Sequence, residues 1–97
     1  MSANSMLVTQ APTDRFVQVG SVKTRYWEMG NSKRTLILIH GAGGSAEFWY
    51  YNLPVLARKY RAIAVDMVGS GRSDKPFACY SLPFQAQFIR DFMRVMG

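Results

Sequence analysis

LILIHGAGGSAEFW, residues 36–49, is the stretch on which the fold turns. Four branched apolar residues run directly into His40 and the glycine loop Gly41-Ala42-Gly43-Gly44. A run of this kind fits a short strand buried on both faces, as in a parallel sheet. The glycine loop after that strand has three readings. The glycines are a cradle for a phosphate, a donor site for an oxyanion, or a tight turn.

The rest of the chain bounds the choice. It has 97 residues, enough for one small domain, with 48% hydrophobic and 13% aromatic content, so a packed core is expected. No unbroken apolar run exceeds four residues, so no membrane span and no membrane partner are expected. Residues 1–13 read as a loose polar tail without a secretory signal, and residues 14–97 as the folded part. The lone Cys79 excludes an internal disulfide and fits a reducing compartment, so the expected location is the cytoplasm. Net charge is +6, but the twelve basic residues are spread from Arg15 to Arg94. They form only the pairs Lys33-Arg34 and Arg58-Lys59, with no aromatic-basic stripe, and nucleic acid is not an expected partner.

Outward from the quoted stretch, the pattern predicts five elements. RFVQVGSVKTRYWEM reads as a β-hairpin turning at Gly20-Ser21, with glycine where a type II′ turn needs it. On its second arm Val22 and Tyr26 face one way and Lys23 and Arg25 the other, which predicts a strand with one wet face. AIAV, residues 62–65, is a second buried strand, and more than twenty residues separate it from the first, ample for a helical crossover. Pro54 is tolerated only in a first turn, so the crossover helix starts near Leu53 and ends near Tyr60. The last helix is the clearest. Ser81 caps it, Pro83 sits in its first turn, and Gly97 ends it. Phe88, Ile89, Phe92, Val95 and Met96 form its apolar stripe. The order predicts an α/β fold, a short antiparallel hairpin leading into a parallel sheet with flanking helices.

Gly41-x-Gly43-x-x-Ala46 with Asp66 twenty residues beyond is the spacing of a dinucleotide-binding unit. That chemistry needs a helix starting at the glycines, so that its N-terminus meets the diphosphate. Pro54 would then fall inside that helix, and a second glycine loop comes directly after the supposed ribose acid.

A different resemblance covers residues 16–97. LILIHGAGGSAEFW, then YRAIAVDMVGSGRSDKP, then YSLPFQAQFIRDFM resembles the N-terminal part of an α/β-hydrolase. The His-Gly loop and the Asp66-x-x-Gly69-x-Gly71-x-Ser73 loop occur in the order and spacing of that family. The phrase is closest to its cofactor-independent members, which include carbon–carbon bond, ester and epoxide hydrolases and haloalkane dehalogenases. The resemblance implies no cofactor and no metal. It implies that the backbone N–H of Ala42, with Gly43 as the alternate and Gly41 setting the loop geometry, stabilises a developing oxyanion. It also implies a small, largely apolar substrate, bound only in the complete enzyme.

The family's nucleophile elbow, G-x-S-x-G or its variants, does not occur in these residues. Ser45, Ser70 and Ser73 each lack one or both flanking glycines. His40 precedes any nucleophile and is expected to be structural, bonded to nearby backbone. Asp66 is expected to order the glycine loop that comes after it, with Arg72 and Asp74 pairing across that loop. Phe48 and Trp49 either border a substrate pocket or pack in the core, and Cys79 is inert. The expectation is an N-terminal portion of a hydrolase with an open sheet edge available for self-association. A non-catalytic module binding a partner through that edge is the alternative.

Overall fold

The computed structural model describes residues 12–97. All but the last two residues of the expected tail lie outside that range. Strands β1 (Arg15–Val19), β2 (Val22–Met29), β3 (Thr35–Ile39) and β4 (Arg61–Val65) form one mixed sheet in the order β1-β2-β4-β3. β1 and β2 are antiparallel, β2 and β4 are antiparallel, and β3 and β4 are parallel in the register Ile37 to Ile63. The hairpin therefore docks on β4, and β3 ends the sheet among the described residues. Gly20 takes φ 58° and Ser21 stays at negative φ, the pattern of the type II′ turn.

Side-chain alternation builds a core on each face of the sheet. On one face Val22, Ile63 and Val65 meet Phe88 and Phe92 from the long helix α2 (Leu82–Met96). Burying each phenylalanine contributes about 1.5–3 kcal/mol. Ser81 caps α2 through Phe84 N–H at 3.3 Å, and Gly97 closes it at φ 87°. One residue of the expected stripe is off it. Val95 is exposed, while Phe84 joins Ile89 and Met96 at the edge of the core.

The second face carries Trp27, Leu38, Ala62 and Ala64, covered by Ala46 and Leu53. This cover is shorter than the sequence predicts. A 3₁₀ turn, Ala46–Trp49, comes first, and the crossover helix α1 is only Leu53–Leu56. Backbone bonds continue irregularly from Lys59 to Leu56 and from Tyr60 to Leu56. The same cover overturns half of the wet face expected for β2, where Lys23 is exposed but Arg25 is not. Arg25 is fully buried, because the face it shares with Trp27 is roofed by the 46–56 segment and not by solvent.

Candidate active site

Both parallel strands stop at the same end of the sheet, and two glycine loops leave from there. After β3 the chain makes a β-turn, with Gly44 N–H donating to Gly41 O at 3.0 Å. Gly43, third in that turn, has φ 77°, while Ala42 has no positive φ. This is a type II turn, and its third residue needs the left-handed region that glycine enters freely. Among the described residues neither the Ala42 nor the Gly43 amide has a protein acceptor. These two residues line one side of a cleft of about 170 Å³, and Val68, Gly69, Ser70 and Tyr80 line the other. A depression of about 200 Å³ between the hairpin turn and α2 has Asp91 as its only charged group and no chemistry-bearing cluster.

The turn is tied at both ends to the close of β4. At its start, Met67 N–H donates to His40 Nε2 at 3.0 Å. A nitrogen that accepts carries no proton, so the ring proton sits on Nδ1 and donates to Gly41 O at 2.7 Å. Both nitrogens are engaged by backbone, which leaves His40 no free nitrogen for proton transfer. At its finish, Ala46 N–H donates to Asp66 Oδ1 at 2.6 Å.

Asp66 is fully buried and holds the second loop as well, since its Oδ2 accepts Arg72 N–H at 2.7 Å. Gly71 lies against this carboxylate. A Cβ there would stand 2.2 Å from Oδ2, so only glycine allows the approach. Ser73 Oγ donates to Asp66 O at 2.8 Å and accepts Arg25 N–H at 2.9 Å. Gly69, at φ 84°, packs against the Tyr80 ring. The expected pairing of Arg72 with Asp74 does not form. Arg72 binds Asp14, and Asp74 accepts the Lys23 N–H at 2.8 Å, because β2 runs alongside the loop and offers a free backbone donor.

The group at the centre of these contacts carries no sequence motif. The Arg25 guanidinium meets three carboxylates: Asp14 at 3.0 Å, Glu47 bidentately at 2.9 and 2.5 Å, and Asp66 at 3.1 Å. Alternation on β2 indicates the face of Arg25 but not what covers it. Burial works against the charge on Arg25, but the Glu47 hydrogen bonds and the three nearby carboxylates outweigh it and raise its pKa. Burial likewise opposes the charge on Asp14, yet bonds from Trp27 and Arg72 and the charge of Arg25 hold it below its usual value. Hydrogen bonding to Arg25 brings Glu47 down to about 2. Phe48 is 68% exposed, Trp49 packs against the Trp27 core, and neither lines the cleft beside Ala42.

The Glu47 value sets a pH dependence. Its folded pKa lies below the ordinary 4.5, so the ionised carboxyl stabilises the fold above that pH, and the contribution is lost as pH falls through about 2. The side chain is half exposed, which limits the effect to about 1 kcal/mol. Urea unfolding at pH 5 and pH 2 should show Glu47→Gln losing about 1 kcal/mol less than the parent chain on acidification.

Both loops lie within the residues that match known proteins. Residues 34–97 match the family described as the alpha/beta hydrolase fold. The chain belongs to the α/β-hydrolase family. It corresponds to the N-terminal portion of that fold. Over 90 residues this α/β-hydrolase chain is 43% identical to the 2-hydroxy-6-oxo-6-(2'-aminophenyl)hexa-2,4-dienoic acid hydrolase of Metapseudomonas resinovorans, covering 90% of this chain and 31% of that enzyme. The solved serine hydrolase of carbazole degradation superposes with a TM-score of 0.79 at 41% identity, over 90% of this chain and 34% of that one. A haloalkane dehalogenase variant from Bradyrhizobium elkanii gives 0.84 at 26% identity, over 91% and 30%. The chain thus spans about a third of the length of these relatives.

The dinucleotide reading does not survive the geometry. It needs a helix at the glycines, where a β-turn stands instead, and a free ribose acid, where Asp66 is fully engaged.

Proposed function

We propose that this chain is the oxyanion-loop portion of a cytoplasmic, cofactor-independent hydrolase that cleaves a carbon–carbon bond in a small 2-hydroxy-6-oxo-dienoate, with ester-like substrates as the broader class. The observation that carries the reading is the Ala42–Gly43 turn, whose two unclaimed amides belong to residues lining a cleft, in a chain 43% identical to a dienoate hydrolase. Preorganised amide donors stabilise the negative charge that develops on a carbonyl oxygen in the transition state. Ala42 N–H is the principal donor and Gly43 the alternate. The nucleophile and its base come from outside these 97 residues, since no serine here sits in G-x-S-x-G and His40 is fully engaged. The free edge of β3 is where further strands, or a second copy, would pair.

The test joins this chain to the remainder of the Metapseudomonas resinovorans relative and follows loss of dienoate absorbance against release of p-nitrophenol from short esters. Dienoate turnover at least tenfold faster than ester turnover supports the proposal. Fast ester turnover without dienoate loss overturns the substrate class. Ester turnover by the chain alone that survives His40→Ala and every single serine substitution overturns the site.

A further inference from the structure

We propose that Arg25, which lies on β2 and lines no part of the cleft, is a positioning residue for the oxyanion turn. The inference rests on the oxyanion role proposed for that turn and concerns what fixes it in place. Residues 41–46 span a gap between two anchors, both on the end of β4. His40 holds one end to Met67, and Asp66 holds the other through the Ala46 N–H. The first anchor is a single ring braced by backbone. The second is a carboxylate held on its Oδ2 side by the Arg72 N–H, with the Ala46 N–H on its Oδ1 side.

Arg25 supplies the side-chain partner on the Oδ1 side, and it grips Glu47, the residue next to Ala46, as well. One nitrogen, Nη1, donates both to Asp66 Oδ1, the atom that takes the Ala46 N–H, and to Glu47 Oε1. Nη2 closes the bidentate pair with Glu47 at 2.5 Å. Ser45 Oγ donates to Glu47 Oε1 at 2.6 Å, so Glu47 touches the guanidinium directly, while Ser45 reaches it through Glu47 and Ala46 through Asp66. Nε donates to Asp14 and the guanidinium carbon sits over the Trp27 ring, 4.8 Å from its centroid, so the fork is held on every side. A planar fork transmits that orientation to two carboxylates at once, which a lysine ammonium cannot do.

Stability is not a sufficient reason for such a group. A buried ion cluster contributes little over well-packed apolar side chains of similar size, so its fixed geometry is the property to account for here. The face around it is otherwise apolar, with Trp27, Leu53 and Ala64 as neighbours in the same core. The residue after the turn is therefore placed by charge geometry from a strand that lines no part of the cleft.

Two variants test this in the joined enzyme. Arg25→Lys keeps the charge and loses the fork. Glu47→Gln keeps the hydrogen-bonding shape and removes one charged arm from a half-exposed site, so it folds even where Arg25→Lys does not. The expected result is a kcat lowered at least tenfold by Arg25→Lys and about threefold to fivefold by Glu47→Gln, with KM within twofold of the parent. In the 97-residue chain, amide spectra of whichever variant folds should show the Ala42, Gly43 and Ala46 N–H resonances shifted while those of α2 stay in place. Unmoved turn amides in a folded variant overturn the proposal, as does an unchanged kcat where Ala42→Pro lowers it. Should Ala42→Pro leave kcat unchanged, Ala42 is not the donor, and the amide resonances alone then decide whether Arg25 positions the turn.

Discussion

Replacing Ala42 with proline should lower kcat of the joined enzyme roughly 10²–10³-fold, the usual cost of losing one oxyanion donor, while leaving the fold intact. The contrast depends on the turn type. Ala42 is the second residue of a type II turn, where proline's fixed φ is favoured, and its amide has no partner in the chain to lose. Proline there removes the donor and keeps the turn. Unfolding midpoints of the chain and Ala42→Pro should agree to within a few degrees. Gly43→Ala is the converse change. It keeps the amide but places a Cβ at φ 77°, in open space, so the cost is conformational strain of roughly 1 kcal/mol and not a clash. Should Ala42→Pro leave kcat within threefold while the dienoate is still turned over, the donor is Gly43 or lies elsewhere, and the assignment of Ala42 is wrong.

The strands are the most legible part of this protein, because their signal is local. Leu36 to Ile39 and Ala62 to Val65 are apolar without a break and form the parallel pair, but only β4 is buried on both faces, while β3 at the sheet edge leaves Ile39 45% exposed. The hairpin turn and the α2 caps are equally plain, since Gly20, Ser81 and Gly97 each meet a stereochemical need that few residues meet. The crossover helix reads longer than it is. Pro54 marks its start correctly, but nothing local marks how soon it ends. It ends at Leu56, which with Leu53 packs into the core of Trp27 and the two alanines. Sheet order is not legible at all, because whether the hairpin pairs with β3 or β4 depends on contacts far apart in sequence.

Site residues divide along the same line. His40, Asp66 and the glycines stand out by spacing, and their positions at the end of the sheet are dictated by the strands that precede them. Arg25 does not stand out. Alternation with Lys23 places it on the second face, and a basic residue on an alternating arm reads as solvated. What buries it is the convergence of Asp14, Glu47 and Asp66, from three separate segments, on one point. A charge is buried when partners from elsewhere arrive, and that arrival leaves no mark in its own neighbourhood. The true partner of Arg72 is hidden for the same reason, since Asp14 is 58 residues away.

The largest effect on stability should come from Asp66→Ala. Its carboxylate is fully buried, takes two backbone N–H groups from different loops, and also accepts from Arg25. Truncation strips the acceptor from the Ala46 N–H, in a fully buried residue, and from the Arg72 N–H. The orphaned Ala46 N–H costs about 1–3 kcal/mol, the Arg72 N–H of an exposed residue costs less, and the hole left beside Gly71 adds to this, for a loss of about 3–5 kcal/mol. That is a large share of the stability of a small domain, so Asp66→Ala should lose its cooperative urea transition, followed by far-UV circular dichroism. Arg25 itself keeps Glu47 and Asp14, so the effect is not that of an unpaired guanidinium. Asp66→Asn separates shape from acceptor count. One amide oxygen can serve Ala46 or Arg72 but not both, and the amide nitrogen must then face a donor, so Asn should cost about 2–3 kcal/mol in spite of its matching volume. A transition for Asp66→Asn indistinguishable from the parent would mean that the two loops are held by something other than this carboxylate, and the coupling drawn between them would fall with it.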